Sequence, residues 1–415
     1  MALIVQKFGG SSVASADRIR NVARRVAETA RAGHQVVVVV SAMGDTTDEL
    51  LGLAAQVTSA PAPREMDLLL TTGEQVSVAL LSLAVQALGL PSVGLTGGQA
   101  GIRTEALHGK ARIAQIDTTR IQRELQDGHV VIVAGFQGVT ERGEITTLGR
   151  GGSDTTAVAL AAAVGADLCE IYTDVDGVYT TDPRVVKQAQ KIERISFDEM
   201  LELATLGAAV LHPRAVECAK KYGVRLMVRS SFTDAPGTLI GEQAAGAAIA
   251  VSGIAHDLGV VKVSLIDVLD RVGNLKKVFE ALAAAKIIVN GIVNSVAHEE
   301  GRTDLSFLIG EGDVPQTLDV LNGLLPEFPG ARLVIETNLA KVSIVGAGMA
   351  DVPGVAAQMF AALADNSITI GLVATTEITV TCVVAAELVH RAVQVLHETF
   401  GLNGVEEAIV SGING

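Results

Sequence analysis

Through residue 231 the chain alternates short β-branched runs with longer stretches whose apolar residues recur every three or four positions. ALIVQKF (2–8), HQVVVVVSA (34–42), HVVIVAGF (129–136), LCEIYTDV (168–175) and VRLMVRSS (224–231) are rich in valine and isoleucine and bounded by glycine, aspartate or serine. Such near-continuous apolar runs suit strands covered on both faces. Segments 15–32, 66–88, 118–127, 154–164 and 207–222 carry helical spacing between them. Strands alternating with helices predict an α/β sandwich around a mainly parallel sheet. In that arrangement ligands gather beyond the carboxyl ends of strands, so the loops at the ends of these runs are where chemistry is expected.

The grammar changes after FTDAPGTLIGEQAAGAAIAVSG (232–253), a small-residue stretch containing Pro236 and Gly237. The rest of the chain is a duplication. VKVSLIDVLDRVGNLKKVFEALAAAKIIVNGIV from Val261 and AKVSIVGAGMADVPGVAAQMFAALADNSITIGLV from Ala340 match as strand, turn, helix and strand, with Lys262 answering Lys341 and Phe279 answering Phe360. Each repeat continues into a further strand and helix, which predicts two ferredoxin-like βαββαβ units. The expected domains are 1–245, 246–337 and 338–415. Within the second repeat, IVGAGMADVPG imitates a dinucleotide fingerprint, but Asp351 stands where the third glycine belongs.

Composition narrows the function classes. A net charge of −14 over 415 residues disfavours nucleic acid and anionic membranes, which are bound by clustered lysine and arginine. Apolar runs such as 36–40 fall well short of the roughly 18 residues of a membrane span. The opening MALIVQKFGG lacks the pattern of a secretory leader, so a soluble cytoplasmic protein is expected. Cys169, Cys218 and Cys382 are scattered singly, and no metal site of the protein's own is expected from them.

Five loops are candidates for chemistry. Lys7, Phe8, Gly9 and Gly10 form a strand-to-turn junction where small residues let backbone N–H groups approach a phosphate, although the P-loop order is absent and a plain turn reads equally well. Ser41, Thr46 and Thr47 offer hydroxyls after the second run, with Asp45 or Thr46 a candidate helix cap. Glu74 sits in an otherwise apolar helix, where a carboxylate calls for a cationic partner. Arg150, Gly151, Gly152, Ser153 and Asp154 open a helix, as an anion nest would. EIYTDVDGVYTTDPR supplies Thr173, Asp174, Tyr179 and Arg184, a set suited to a nucleotide and equally rich in turn formers. His212 reads as a packed or capping residue, and His108 lies in a polar loop.

Taken in order, K-F-G-G-S-S-V (7–13), S-A-M-G-D-T-T-D (41–48), T-G-E-Q (72–75), A-G-F-Q-G (134–138), G-R-G-G-S-D-T-T-A (149–157), Y-T-D-V-D-G-V-Y-T-T-D-P-R (172–184) and L-H-P-R-A-V-E (211–217) resemble the aspartate kinase family, of the amino acid kinase fold, and the repeats resemble its ACT regulatory domains. The resemblance spans essentially the whole chain. It implies a three-layer sandwich followed by two ACT domains. It also implies transfer of the γ-phosphoryl of ATP to the β-carboxylate of L-aspartate, the entry to lysine, threonine and methionine synthesis. By the same resemblance Lys7 and Asp154 are catalytic, and Lys7, Phe8, Gly9, Gly10, Ser41, Thr173, Asp174, Tyr179 and Arg184 hold ATP, with Mg2+ carried mainly by the phosphates. Ser41, Thr47, Glu74, Arg150, Gly151, Gly152 and Ser153 hold aspartate. Lysine or threonine as effectors would meet Asn290, Asn294, Ser295, Thr375, Thr376 and Glu377, and a homodimer or larger assembly would form through the ACT sheets. Where the family often has lysine in the L-G-A-K stretch, this chain carries Ala209.

Overall fold

The structure, a computed structural model, describes residues 1–208, 210–242, 250–295 and 301–403. Ala209 and the expected boundary at 245/246 lie outside the described residues. The chain divides into two compact units, one of residues 1–179, 191–205 and 209–246, the other of 180–190, 206–208 and 247–415.

In the N-terminal unit the valine-rich runs form β1 (Leu3–Phe8), β2 (Gln35–Val40), β3 (Ser92–Leu95), β6 (Val130–Ala134), β9 (Leu168–Thr173) and β11 (Leu226–Ser230), completed by β10 (Arg194–Ser196) and β12 (Thr238–Gly241). They make one eight-stranded sheet in the order β10-β12-β11-β9-β1-β2-β6-β3. All pairs are parallel except β11 with β12. The central strands β9, β1, β2 and β6 therefore end at the same rim, and four of the five candidate loops leave from it or open a helix beside it. β4 (Ile102–Thr104), β5 (Ile113–Ile116), β7 (Gln137–Val139) and β8 (Ile145–Thr147) form a second, four-stranded sheet. These strands of three or four residues carry no apolar run, which is why periodicity does not reveal them.

Helices cover both faces of the large sheet. α1 (Ala16–Arg31) and α4 (Thr72–Ala87) bury Ile19, Val22, Val26, Val78, Leu81 and Val85 with the even-numbered residues of β1, β2 and β6. α6 (Gly152–Val164) packs against β1, β2 and β9. The helix expected over 66–88 is two helices, α3 (Pro63–Leu70) and α4, parted at Thr71. Gln137 Nε2 donates to the Thr71 carbonyl at 3.1 Å, which takes that acceptor. Residues Pro63–Ala87 together are long and apolar enough to cross a membrane, but they place Asp67 and Glu74 in the buried interior, as a core helix does. α2 (Thr46–Val57), α5 (Thr119–Gln126), α7 (Phe197–Thr205) and α8 (Pro213–Tyr222) complete this unit. The segment expected as one helix over 207–222 is helical only as α8, since Pro213 occupies its first turn and His212 caps it.

The C-terminal unit is built on one six-stranded antiparallel sheet. Its elements are β13 (Gly253–Leu269), α9 (Asn274–Ala284), β14 (Asn290–Asn294), β15 (Arg302–Gly310), α10 (Val314–Leu324), β16 (Arg332–Val345), α11 (Val355–Asp365), β17 (Leu372–Thr375), β18 (Thr379–Ala385) and α12 (Val389–Thr399). The order β14-β15-β13-β16-β18-β17 contains both repeats, and they interleave. The latter part of β13 begins the first repeat and the first part of β16 closes it. The second repeat begins on the latter part of β16, and its fourth strand is Gly253–Leu258, which pairs with Val345–Ala340. Segment 180–190 joins this unit: the Thr180 carbonyl accepts the Ile254 N–H at 2.7 Å, and Val186 enters the second repeat's core beside Val342, Ile344 and Leu396.

Candidate active site

Adjacent residues of a strand face opposite ways, and β1 uses this to build the site. Phe8 turns to the α1 and α4 side, fully buried and stacked on Tyr172 with ring centroids 4.6 Å apart, so only its backbone is offered to a ligand. Lys7 turns to the α6 side. There its ammonium meets Asp154 in the first turn of α6 at 2.5 Å, with both side chains largely sequestered. A carboxylate in a first helical turn is also stabilised by the helix dipole.

The glycine pairs permit close approach between loops. A Cβ at Gly10 would lie 3.0 Å from the Ala42 carbonyl, and the Gly44 N–H donates to the Gly10 carbonyl at 3.0 Å. The loops after β1 and β2 are thus joined, with Ser41 in the second of them and Thr47 in the first turn of α2 that follows it. Glu74, one residue into α4 from Gly73, accepts the Ala42 N–H on Oε1 at 3.1 Å. Its Oε2 is buried without a partner among the described residues. Burial pushes this carboxyl up from its ordinary value to about 7. A buried, half-satisfied carboxylate next to Ser41 has the chemistry to accept a cationic group.

The turn before α6 holds Gly149 and Gly151 at φ of +75° and +71°, a region that favours glycine. A Cβ at Gly151 would lie 2.2 Å from the His212 ring, one at Gly152 2.8 Å from Phe136, and one at Gly135 2.8 Å from the Ser153 hydroxyl. Phe136 is itself at φ +68°, a strained setting for an aromatic residue and one that clusters at functional sites. Arg150 stands exposed between the two left-handed glycines, with no ion pair among the described residues. His212 caps α8, accepting the Arg214 N–H on Nδ1, and burial holds its pKa below the usual value.

Thr173 ends β9 beside the first loop: its carbonyl accepts the Ser231 N–H at 2.8 Å, and Ser231 shares a 2.5 Å hydroxyl contact with Ser12. Its hydroxyl donates to Asp174 at 3.0 Å. The Tyr179 hydroxyl donates to Asp176, which also pairs with Lys191, so this ring is held by its own loop. Arg184 belongs to the C-terminal unit, where its guanidinium grips Asp182 with contacts of 2.8 to 3.1 Å. The structure thus brings Lys7, Gly9, Gly10, Ser41, Thr47, Glu74, Ser153, Asp154 and Thr173 into one ring of loops, with Arg150, Gly151 and Gly152 on its rim.

Residues 2–230 match the amino acid kinase family, and residues 342–400 match the ACT domain. Aspartokinase of Geobacillus stearothermophilus is 54% identical over 409 residues, 98% of this chain and 99% of its own. The chain belongs to the aspartokinase family. E. coli aspartokinase III, solved in complex with aspartate and ADP (R-state), is similar with a TM-score of 0.81 at 28% identity over 96% of this chain and 99% of that one. The same enzyme in complex with lysine and aspartate (T-state) is similar with a TM-score of 0.74.

Within this aspartokinase fold the six expected effector residues fall on two equivalent places. Asn290, Asn294 and Ser295 lie on or just after β14, and Thr375, Thr376 and Glu377 at the end of β17, the two outer strands of the sheet. Asn294 accepts from the Thr303 hydroxyl at 3.2 Å, Ser295 accepts the Asp304 N–H at 2.9 Å, and Thr376 contacts Thr379 at 2.8 Å. The two edges also approach each other, since a Cβ at Gly291 would lie 3.6 Å from Leu372. Sequence reasoning missed the supports of the catalytic loops. Beneath β1 and β9 the buried Glu170 takes bonds from Gln6, Tyr172 and Arg229 at 2.8 to 3.0 Å. Asp67, one turn before the end of α3, is another such support, and as one of three charged residues in PREMDLLL it is singled out by nothing local.

Proposed function

We propose that this chain catalyses transfer of the γ-phosphoryl of ATP to the β-carboxylate of L-aspartate, giving 4-phospho-L-aspartate. The observation that carries this reading is the Lys7–Asp154 pair at 2.5 Å, with Glu74's orphaned oxygen and Arg150 among the surrounding loops. Glu74 takes the substrate ammonium and Arg150 a carboxylate, in bidentate fashion. Lys7 neutralises charge growing on the moving phosphoryl group, and Asp154 fixes the lysine's position. Gly9, Gly10, Thr173, Asp174 and Tyr179 receive the nucleotide, and Ser41, Thr47, Gly151, Gly152 and Ser153 line the aspartate pocket.

The carboxylate nucleophile is already ionised, so no base is required. Catalysis reduces to alignment and charge neutralisation between two anions. Mg2+ would be carried mainly by the phosphates of ATP, where it would supply charge neutralisation. The product would open lysine, threonine and methionine synthesis in the cytoplasm. Lysine or threonine would act on the ACT sheet, and chains would pair through it.

The test is a coupled assay of ADP release with aspartate, glutamate and N-acetylglutamate as acceptors. Turnover with aspartate is expected, and turnover only with another acceptor overturns the assignment. Lys7→Ala should lower kcat on the order of 10² to 10³ in a protein that remains folded.

A further inference from the structure

Asp67 is almost completely buried, yet it lies in neither the phosphate nor the ammonium contacts described above. Its carboxylate collects donors from two separate segments, the end of β8 and the His108–Gly109 turn. Thr147 donates its hydroxyl to Oδ1 at 2.5 Å, the Gly109 N–H is shared between both oxygens at 3.1 Å, and His108 Nδ1 lies 2.7 Å from Oδ2. Thr147 ends β8 three residues before Arg150. The Gly109 loop is the wall of the same turn: the Ala111 N–H donates to the Thr147 carbonyl at 2.9 Å, and a Cβ at Gly149 would sit 3.1 Å from the Gly109 carbonyl.

Taken together, these contacts tie the base of the Arg150 turn to α3 on one side. On the other side Arg214 of α8 donates to the Leu148 carbonyl at 2.8 Å. The Arg150 guanidinium has no ion pair among the described residues to hold it, so its position depends on how firmly residues 147–149 are anchored. We propose that Asp67 is a positioning residue for aspartate recognition, which clamps Thr147 and the His108–Gly109 loop so that Arg150 is presented in one place. This rests on reading the Arg150 turn as the substrate carboxylate site.

An acceptor-only carboxylate suits this place because every group facing it is a donor. Substituting one donor without changing volume isolates the clamp. Thr147→Val removes the hydroxyl and leaves a buried oxygen of Asp67 one bond short, whereas Thr147→Ser restores it. Asp67→Asn keeps the shape but turns amide hydrogens toward donors.

The experiment measures kcat and KM for aspartate and for ATP in the full-length enzyme, together with hydrogen exchange of the 147–152 amides. Thr147→Val and Asp67→Asn are expected to raise the aspartate KM about ten-fold or more while the ATP KM stays within two-fold. Thr147→Ser should return to within two-fold of wild type, and exchange at 147–152 should quicken in the first two variants alone. An unchanged aspartate KM in folded Thr147→Val and Asp67→Asn, or equal rises for both substrates, overturns the proposal. If wild type turns over no aspartate, the assignment of the reaction fails by itself; the exchange data then decide the clamp, with unaltered rates in all variants refuting it.

Discussion

Glu74 shows how one buried atom ties stability to recognition. Desolvation raises its carboxyl to about 7 from 4.5, so the folded protein holds this proton where the unfolded chain has already lost it. Between those values the unfolded state binds fewer protons, and stability attributable to this group falls as pH rises through the window, levelling above about 7. The full span is worth about 3 kcal/mol at most. Glu74→Gln removes that cost, so its advantage over wild type in denaturant unfolding should be larger at pH 8 than at pH 5. A substrate ammonium demands the ionised form. The aspartate KM of the wild type should therefore fall as pH rises from 6 to 8, and Glu74→Gln should flatten the dependence. A KM that rises over this range would mean that Glu74 does not receive the ammonium.

At the scale of elements, the turn leading into α6 is shaped by what its glycines exclude. Gly151→Ala would place a methyl 2.2 Å from the His212 ring at φ +71°, so either the turn or the α8 cap must move. A displacement of about 1 Å at such a site lowers kcat/KM for aspartate on the order of 10²-fold. Gly33→Ala is the matched control: φ is +89°, nothing lies within 4 Å, and only the backbone penalty of about 1 kcal/mol applies. Equal kinetics in the two variants would show that the turn tolerates the shift. Much of this element was legible in advance. The long valine runs, the turn glycines and the Lys7 and Asp154 positions come from local pattern, because buried parallel strands and anion nests write their requirements into adjacent residues. The break at Thr71, the four-stranded sheet and the Asp67 clamp do not. Each depends on a partner far along the chain, Gln137 for Thr71 and Thr147 for Asp67, and no window of neighbouring residues contains both ends of such a bond.

The C-terminal unit carries the same lesson to the largest scale, because its duplication is plain in sequence while its interleaving is not. The match beginning at Val261 suggests two modules in tandem, yet Gly253–Leu258 supplies the outer strand of the second module from ahead of the first. Ile254 and Ala255 are buried there, and Val342, Ile344 and Val345 of β16 are buried in the same part of the sheet. A fragment of residues 247–415 retains every strand of the sheet. A fragment starting at Val261 opens one edge of β16 along Ala340–Val345 and forfeits the burial of Ile254 and Ala255, together about 3 kcal/mol before the ladder itself is counted. At roughly 2–4 °C per kcal/mol for a unit of this size, the shorter fragment should melt at least about 6 °C lower, or associate through the open edge. Both fragments lack segment 180–190, so loss of Val186 and of the Thr180 bond to His397 affects them alike. Calorimetry with sedimentation on the pair makes the comparison. Identical melting of two monodisperse fragments would show that the second module closes without Gly253–Leu258.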